Sequence, residues 1–268
     1  VMLWNQENER ELAEMLARVM CAIRLADEHN HPSADSMRAR WRVLSSNVAV
    51  DMDRQLVFKS FDYRDRWDQF AEGYRREPGA SCRWMTGCEI VAQQKDFALL
   101  QYPFLNGTSI AQRASDFIPV FKELADLHQE GLVHGDIRAH NMIFVEGSGG
   151  KLIDFDYSGK HAERCYPPGY WRDLDDTRRH DRAVAEEQMR KEHDCFSLGA
   201  VMARYRCDHA GWSQLAEKLQ TGRPDVGALI GELEQLGDSK LEWIGTETMF
   251  TLANGLPEKN QTSSPTKP

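Results

Sequence analysis

The sequence predicts an α+β fold, with a small antiparallel sheet in its first hundred residues and a mainly helical second part. Three observations carry this. Short strand-like runs crowd residues 41–104, helical apolar spacing dominates after Asn106-Gly107, and the composition can fill a core. Hydrophobic residues are 41% and charged residues 28% of the 268-residue chain, which is neither a disordered nor a collagen-like balance. At about 150 residues per domain, one large domain or two small lobes would account for the length. The divisions are an N-terminal amphipathic helix over 1–30, a sheet-bearing part over 31–104, a helical part over 105–252 and a disordered tail over 253–268.

The first element rests on Leu12, Met15, Leu16, Val19, Ile23 and Ala26, which share one helical face; Glu9, Arg10, Glu14, Arg18 and Arg24 fall elsewhere. This stripe reads as a packing helix, ended by His31-Pro32-Ser33. Strand-like runs follow at Trp41–Leu44, Val48–Met52 and Leu56–Phe61, broken at Ser45-Ser46-Asn47 and Asp53-Arg54. Residues 62–77 are highly charged and predict a helix closed by Glu77-Pro78-Gly79. Two more strands are predicted at Cys88–Gln93 and Phe97–Phe104, around a turn at Gln94-Lys95-Asp96. In the second part, Ile110, Phe117, Phe121, Leu124 and Leu127 mark a long helix that ends before Gly131. Strands at Met142–Val145 and Lys151–Phe155 flank the turn Gly147-Ser148-Gly149-Gly150. Residues 156–190 read as loops. Within them, Asp173, Asp175 and Asp176 followed by Arg178-Arg179-His180 suggest a solvated loop, the alternative being substrate docking or an ion pair. Helices are predicted at 194–206, 212–220 and 225–236. From Ala253 onward the composition is polar, without apolar period.

Charge and cysteine content exclude several functions. A net charge of -9 argues against a generic nucleic-acid groove, which needs clustered cations. No apolar run approaches the roughly 20 residues that span a bilayer. Val1-Met2-Leu3-Trp4 turning charged at Glu7 is neither a signal nor a transit peptide. The six cysteines show no CxxC pair or zinc-like spacing and read as reduced thiols of an intracellular protein.

The chemistry concentrates in Leu132-Val133-His134-Gly135-Asp136-Ile137-Arg138-Ala139-His140-Asn141-Met142 and in Lys151-Leu152-Ile153-Asp154-Phe155-Asp156. Polar residues occupy short turns bracketed by apolar strand residues. That layout brings two carboxylates and an amide to one place at a sheet edge. Phosphoryl transfer uses such a set: one carboxylate accepts the proton of the attacking hydroxyl, and the other, with an amide oxygen, holds magnesium on the phosphates.

His134-Gly135-Asp136, Asn141 and Asp154-Phe155-Asp156 resemble the catalytic loop and metal-binding motif of the protein-kinase superfamily. The resemblance implies a two-lobed fold with ATP and Mg2+ in the cleft, Asp136 as base and Asn141 and Asp154 as metal ligands. By order along the chain, Lys59 matches the lysine on the nucleotide phosphates. Tyr102-Pro103-Phe104-Leu105 falls at the interlobe hinge, so that Tyr102 and Phe104 would offer backbone to adenine. Arg138 stands where a lysine often steadies the transferred phosphate. In His193-Asp194-Cys195-Phe196-Ser197-Leu198-Gly199, Asp194 would bond amides of the catalytic loop, a structural role.

The sequence also departs from that pattern. No glycine precedes Gly73, so the turn at Ser45-Ser46-Asn47 would stand in for the glycine-rich phosphate loop. The partner glutamate of Lys59 is Glu72 or Glu77. The metal motif ends in Asp156 instead of glycine, and Tyr166-Pro167-Pro168-Gly169-Tyr170 occupies the place of Ala-Pro-Glu. His-Gly-Asp with Asp-Phe-Asp is shared with aminoglycoside- and choline-type phosphotransferases. The longer run from Val133 to Arg138, Leu152 to Lys160, Tyr166-Pro167 and His193-Asp194 is more similar to the kinase domains of Crinkler-type effectors, over roughly residues 55–205. This implies a Ser/Thr-type protein kinase acting on a hydroxyl of a protein substrate, in cytoplasm or nucleus, or delivered into a host cell with its leader upstream of Val1. Two alternatives stay open: a small-molecule kinase, for which the spacing after Asp156 leaves little room for an acceptor cap, and a pseudokinase serving as a binding module. No nucleic-acid or membrane partner is expected.

Overall fold

The computed structural model describes residues 41–45, 48–62, 87–94, 97–166, 179–222 and 224–245. The predicted helix over 1–30, Glu72 and Glu77 with the charged run 63–77, the acidic residues up to Arg178 and the tail 253–268 lie outside the described residues.

The fold is mixed α+β, with a small antiparallel sheet followed by four α-helices among the described residues. Strands β1 (Trp41–Ser45), β2 (Val48–Asp51), β3 (Leu56–Asp62), β4 (Glu89–Gln94) and β5 (Phe97–Pro103) form one sheet in the order β1-β2-β3-β5-β4. The β2–β3 turn has a local cause. The buried Asp51 carboxylate accepts the amides of Asp53 (3.1 Å) and Arg54 (3.2 Å), an Asx-type turn that closes the hairpin. Paired residues of antiparallel strands point to the same side, so Val48 with Lys59, Val57 with Tyr102, and Leu100 with Lys59 share one face. On the opposite face Trp41 packs on Phe58 with ring centroids 5.3 Å apart.

The helical part begins with an irregular stretch, not with the helix predicted from Ile110. Its backbone is used elsewhere: the Ala111 amide donates to the Tyr205 hydroxyl (3.1 Å), Gln112 O accepts from Leu241, and Thr108 bridges to Phe144. A 3-10 turn at Ala114–Phe117 then leads into helix α1 (Ile118–Gln129), with Pro119 in its first turn, where a missing N–H costs nothing. Its buried face is Val120, Phe121, Leu124, Ala125, Leu127 and His128. Gly131, at φ +76, terminates it in the left-handed conformation glycine tolerates.

Short strands β6 (Leu132–Val133) and β9 (Gly159–Lys160) pair, as do β7 (Met142–Val145) and β8 (Gly149–Leu152). Gly149 and Gly150, expected in the turn, belong to β8; a side chain on Gly150 would lie 2.5 Å from Val120 and 2.7 Å from the Phe144 ring. β8 stops at Leu152 instead of Phe155 because Asp154 takes a left-handed φ of 63° and a 3-10 turn follows over Phe155–Tyr157.

Helices α2 (Lys191–Met202), α3 (Ala210–Thr221) and α4 (Val226–Gln235) complete the fold. The helix predicted to run to 206 ends at Met202, since Tyr205–Cys207 forms strand β10 against β11 (Leu241–Trp243) and Tyr205 packs its ring on Phe117 and Trp243. The main core joins α1, the β7–β8 hairpin and α2–α4, with Phe117, Phe121, Leu124, Leu127, Leu198 and Leu219 inaccessible to solvent. Each such side chain contributes about 1.5–3 kcal/mol through burial. No helix of the described residues is long and apolar enough to cross a membrane. Among the described residues, Cys165, Cys195 and Cys207 are free thiols.

Candidate active site

The β7–β8 hairpin explains the thirteen-residue spacing between Asn141 and Asp154. Met142 pairs with Leu152, so Asn141 just before β7 and Asp154 just after β8 emerge at the same end, and the Ile153 amide donates to Asn141 O at 3.0 Å. The other half of the site leaves β6 as His134-Gly135-Asp136. Asp194, in the first turn of α2, fastens this loop: its Oδ2 accepts the His134 amide (2.7 Å), its Oδ1 accepts the Gly135 amide (2.9 Å), and His128 Nε2 lies 3.1 Å from Oδ2. Gly135 sits at φ +80 beneath Met189, whose Cε would be 2.2 Å from an added Cβ. His134 ties the two halves together, with Nε2 3.1 Å from Ile153 O and its ring 4.6 Å from that of Phe155.

Asp136 is 2% exposed and surrounded by donors. Asn141 Nδ2 donates to its Oδ2 (2.8 Å) and to its backbone O (2.9 Å). Arg138 Nε lies 3.2 Å from the same Oδ2, and Arg179 Nη2 donates to Oδ1 at 2.6 Å. Arg179 itself is 5% exposed. The basic end of the predicted solvated loop is therefore buried at the site, because its guanidinium finds a carboxylate there that can match it in low dielectric.

Lys59 reaches from β3 to the second pair of carboxylates, 2.7 Å from Asp154 Oδ1 and 2.5 Å from Asp156 Oδ2. Burial opposes its charge, but Asp156 and Asp154 more than offset that and hold the ammonium protonated well above its usual range. Burial likewise works against Asp154, yet Lys59 brings it down to about 2, so it stays ionised. Asp156, raised first by burial and then by the Asp154 charge, moves up to about 7. The left-handed Asp154 is a non-glycine residue in a costly conformation, a feature that clusters at functional sites.

Tyr102 shares the Lys59 face of the sheet, and burial raises its phenol, with Lys59 lowering and Asp154 raising it in turn. Phe104 lies just past β5, and its amide already donates to Gln55 O at 2.8 Å. Tyr157 senses all three acids: burial, then Asp136, Asp154 and Asp156, raise its phenol. The structure thus gathers Lys59, Tyr102, Asp136, Arg138, Asn141 and Asp154, and adds three residues that sequence reasoning did not place there, Asp156, Tyr157 and Arg179. Asp156 stood in the motif as a departure from pattern. Arg179 stood in the run Arg178-Arg179-His180, for which an ion pair was the alternative reading, but nothing local named Asp136, 43 residues away, as a partner. Among the described residues no group of three or more His, Cys, Asp or Glu is arranged to hold a metal ion by itself; Asn141 and Asp154 would need phosphate oxygens to complete a shell. No protein-family model matches the chain, and no curated protein matches it.

Proposed function

We propose that the chain is an ATP-dependent phosphotransferase with a two-lobed, protein-kinase-like arrangement, a divergent Ser/Thr-type kinase that phosphorylates a protein hydroxyl. The observation that carries this reading is the reach of Lys59 from β3 to Asp154, 95 residues away, at 2.7 Å. Kinases use a lysine on the third strand together with an aspartate and an asparagine that bind magnesium. The hairpin that sets Asn141 beside Asp154 supports the same assignment.

The donor set fits Mg2+ and ATP. Asp154 is held ionised and its side chain is 34% exposed, suitable for a hard-cation ligand. Asn141 commits Nδ2 to Asp136, which turns its carbonyl oxygen to the ligand role. Lys59 would orient the phosphates, Arg138 would balance charge, and the β5 end near Tyr102 and Phe104 would line the base. Magnesium-bound ATP supplies the γ-phosphoryl group. Asp136 would take the acceptor proton as the acceptor oxygen bonds phosphorus and the bond to ADP breaks.

One observation favours a second reading, an ATP-binding module without transfer: no glycine precedes Gly73, so backbone cannot approach the phosphates as closely. Purified full chain with γ-labelled ATP and Mg2+, with and without mixed protein substrate, separates the readings. Label on the chain or on substrate, lost in Asp154→Asn, is the expected result. Nucleotide-dependent stabilisation without label would establish the module, and neither effect would overturn both.

A further inference from the structure

We propose that Lys59 is a tethered stand-in for the divalent cation: its ammonium and the metal compete for one pair of carboxylates, so that Asp156 joins Asp154 as a metal ligand. The metal's service to ATP rests on the phosphotransferase reading; the competition does not.

The geometry is that of two acids around one cation. Lys59 Nζ lies 2.7 Å from Asp154 Oδ1 and 2.5 Å from Asp156 Oδ2. Magnesium takes carboxylate oxygens at about 2.0–2.1 Å and calcium at about 2.3–2.6 Å. The ammonium therefore stands close to where a hard cation would meet the same oxygens. Between the two acids, Phe155 is 2% exposed with its ring on His134, in the 3-10 turn that follows the left-handed Asp154. That turn anchors both acids through the backbone, so the pair outlasts a change of cation.

Charge decides the contest. With both acids ionised the pair carries two negative charges, which a dication matches and one ammonium does not. The metal cannot simply be added, because a dication and an ammonium on the same oxygens repel each other in partly buried surroundings. One must leave. The Lys59 side chain is 9% exposed, those of Asp154 and Asp156 34% and 20%, so the carboxylates are open to an arriving ion while the ammonium is closed in. Lys59 stays tied to β3, and the nucleotide phosphates are an anion to which it can turn. Metal and nucleotide thereby assist each other, the one taking the carboxylates and the other the ammonium.

Mn2+ binding to the nucleotide-free full chain, read by electron paramagnetic resonance, tests the competition. Lys59→Met removes the resident cation and should tighten Mn2+ binding about tenfold or more, although the same variant loses its phosphate contact to ATP. A merely structural lysine would not give a gain in one ligand with a loss of the other. Adding Asp156→Asn should return Mn2+ affinity to the wild-type level or below. Unchanged or weaker Mn2+ binding in Lys59→Met overturns the competition, and a gain that survives Asp156→Asn overturns Asp156 as a ligand. The wild type supplies an arm free of any folding defect. Mg2+, against Na+ at equal ionic strength, should raise acetylation of Lys59 by an N-hydroxysuccinimide ester about tenfold relative to exposed Lys160, read by mass spectrometry. Unchanged acetylation also overturns the competition. A metal gain in Lys59→Met with no phosphate transfer by the wild type leaves the competition standing while the phosphotransferase reading fails; transfer without the gain does the reverse.

Discussion

Single carboxylates at this site have opposite duties, and their removal separates them. Asp194 accepts two backbone amides of the His134-Gly135 turn, so Asp194→Ala should lower stability by about 1–3 kcal/mol, read by denaturant melts. From sequence alone Asp136 is a functional acid that could be removed at no structural cost. Its burial against Arg179 reverses that expectation. Asp136→Ala removes the buried carboxylate that Arg179 faces at 2.6 Å and should cost about 3–5 kcal/mol, and Arg179→Leu in the same chain should recover part of the loss. If the double variant is no more stable than Asp136→Ala, the two side chains are not coupled. His193 gives a pH signature. It is 1% exposed, its Nδ1 lies 3.1 Å from the Tyr166 hydroxyl, and its Nε2 is buried without a hydrogen-bond partner. Burial, then neighbouring His180, brings its basicity down from 6.5 to about 4. Between those values the unfolded chain takes up a proton that the folded chain refuses. Its contribution is complete above pH 6.5 and is lost as pH falls towards 4. Stability curves of wild type and His193→Gln, subtracted, should show that slope; parallel curves would refute it.

Elements here are short, and their ends are set by contacts more than by propensity. α1 was legible from the spacing of Phe117, Phe121, Leu124 and Leu127, which is the 3.6-residue period, and from Gly131 beyond its end. Its start was not, because the backbone from 108 to 113 is recruited by Phe144, Tyr205 and Leu241, which are distant in sequence. The α2–α3 contact depends on Gly199, where an added Cβ would sit 2.6 Å from Ala216 O and 2.8 Å from Leu219. The obstacle is backbone, which cannot rotate away. Gly199→Ala should destabilise by about 1–3 kcal/mol, whereas alanine at Gly231, with nothing within 4 Å, should be neutral or stabilising on the exposed helix. Equal melting of the two variants would contradict the close approach.

At the scale of the molecule, the sheet and the helical part meet at Lys59 with Asp154 and Asp156. A ligand that binds there stabilises the folded state by RT ln(1 + [L]/Kd), about 2.7 kcal/mol at a hundredfold excess over Kd. ATP with Mg2+ should therefore raise the melting temperature of the wild type. Lys59→Met and Asp154→Asn should abolish most of that shift, the first by removing the phosphate contact and the second by weakening the cation site. Asp136→Asn should keep the shift while losing transfer by a factor of about 10² to 10⁴, as for a lost general base. Loss of the shift in all three variants would undo the separation of roles.

Much of this protein is written in its local sequence. Strand-like runs and helical apolar spacing determined the five strands of the sheet and the existence of the four described helices, since burial of one face depends on period alone. The turn chemistry of Asp51, Gly131 and the Asn141-to-Asp154 interval also lies within a few residues, so the hairpin that joins amide and carboxylate was legible. What the tertiary structure decided is which charges meet. Asp156 faces Lys59 and Arg179 faces Asp136 across 97 and 43 residues, and no period or turn rule records such pairs. They form because a charge removed from water must find its opposite nearby, and the fold alone determines which one is near.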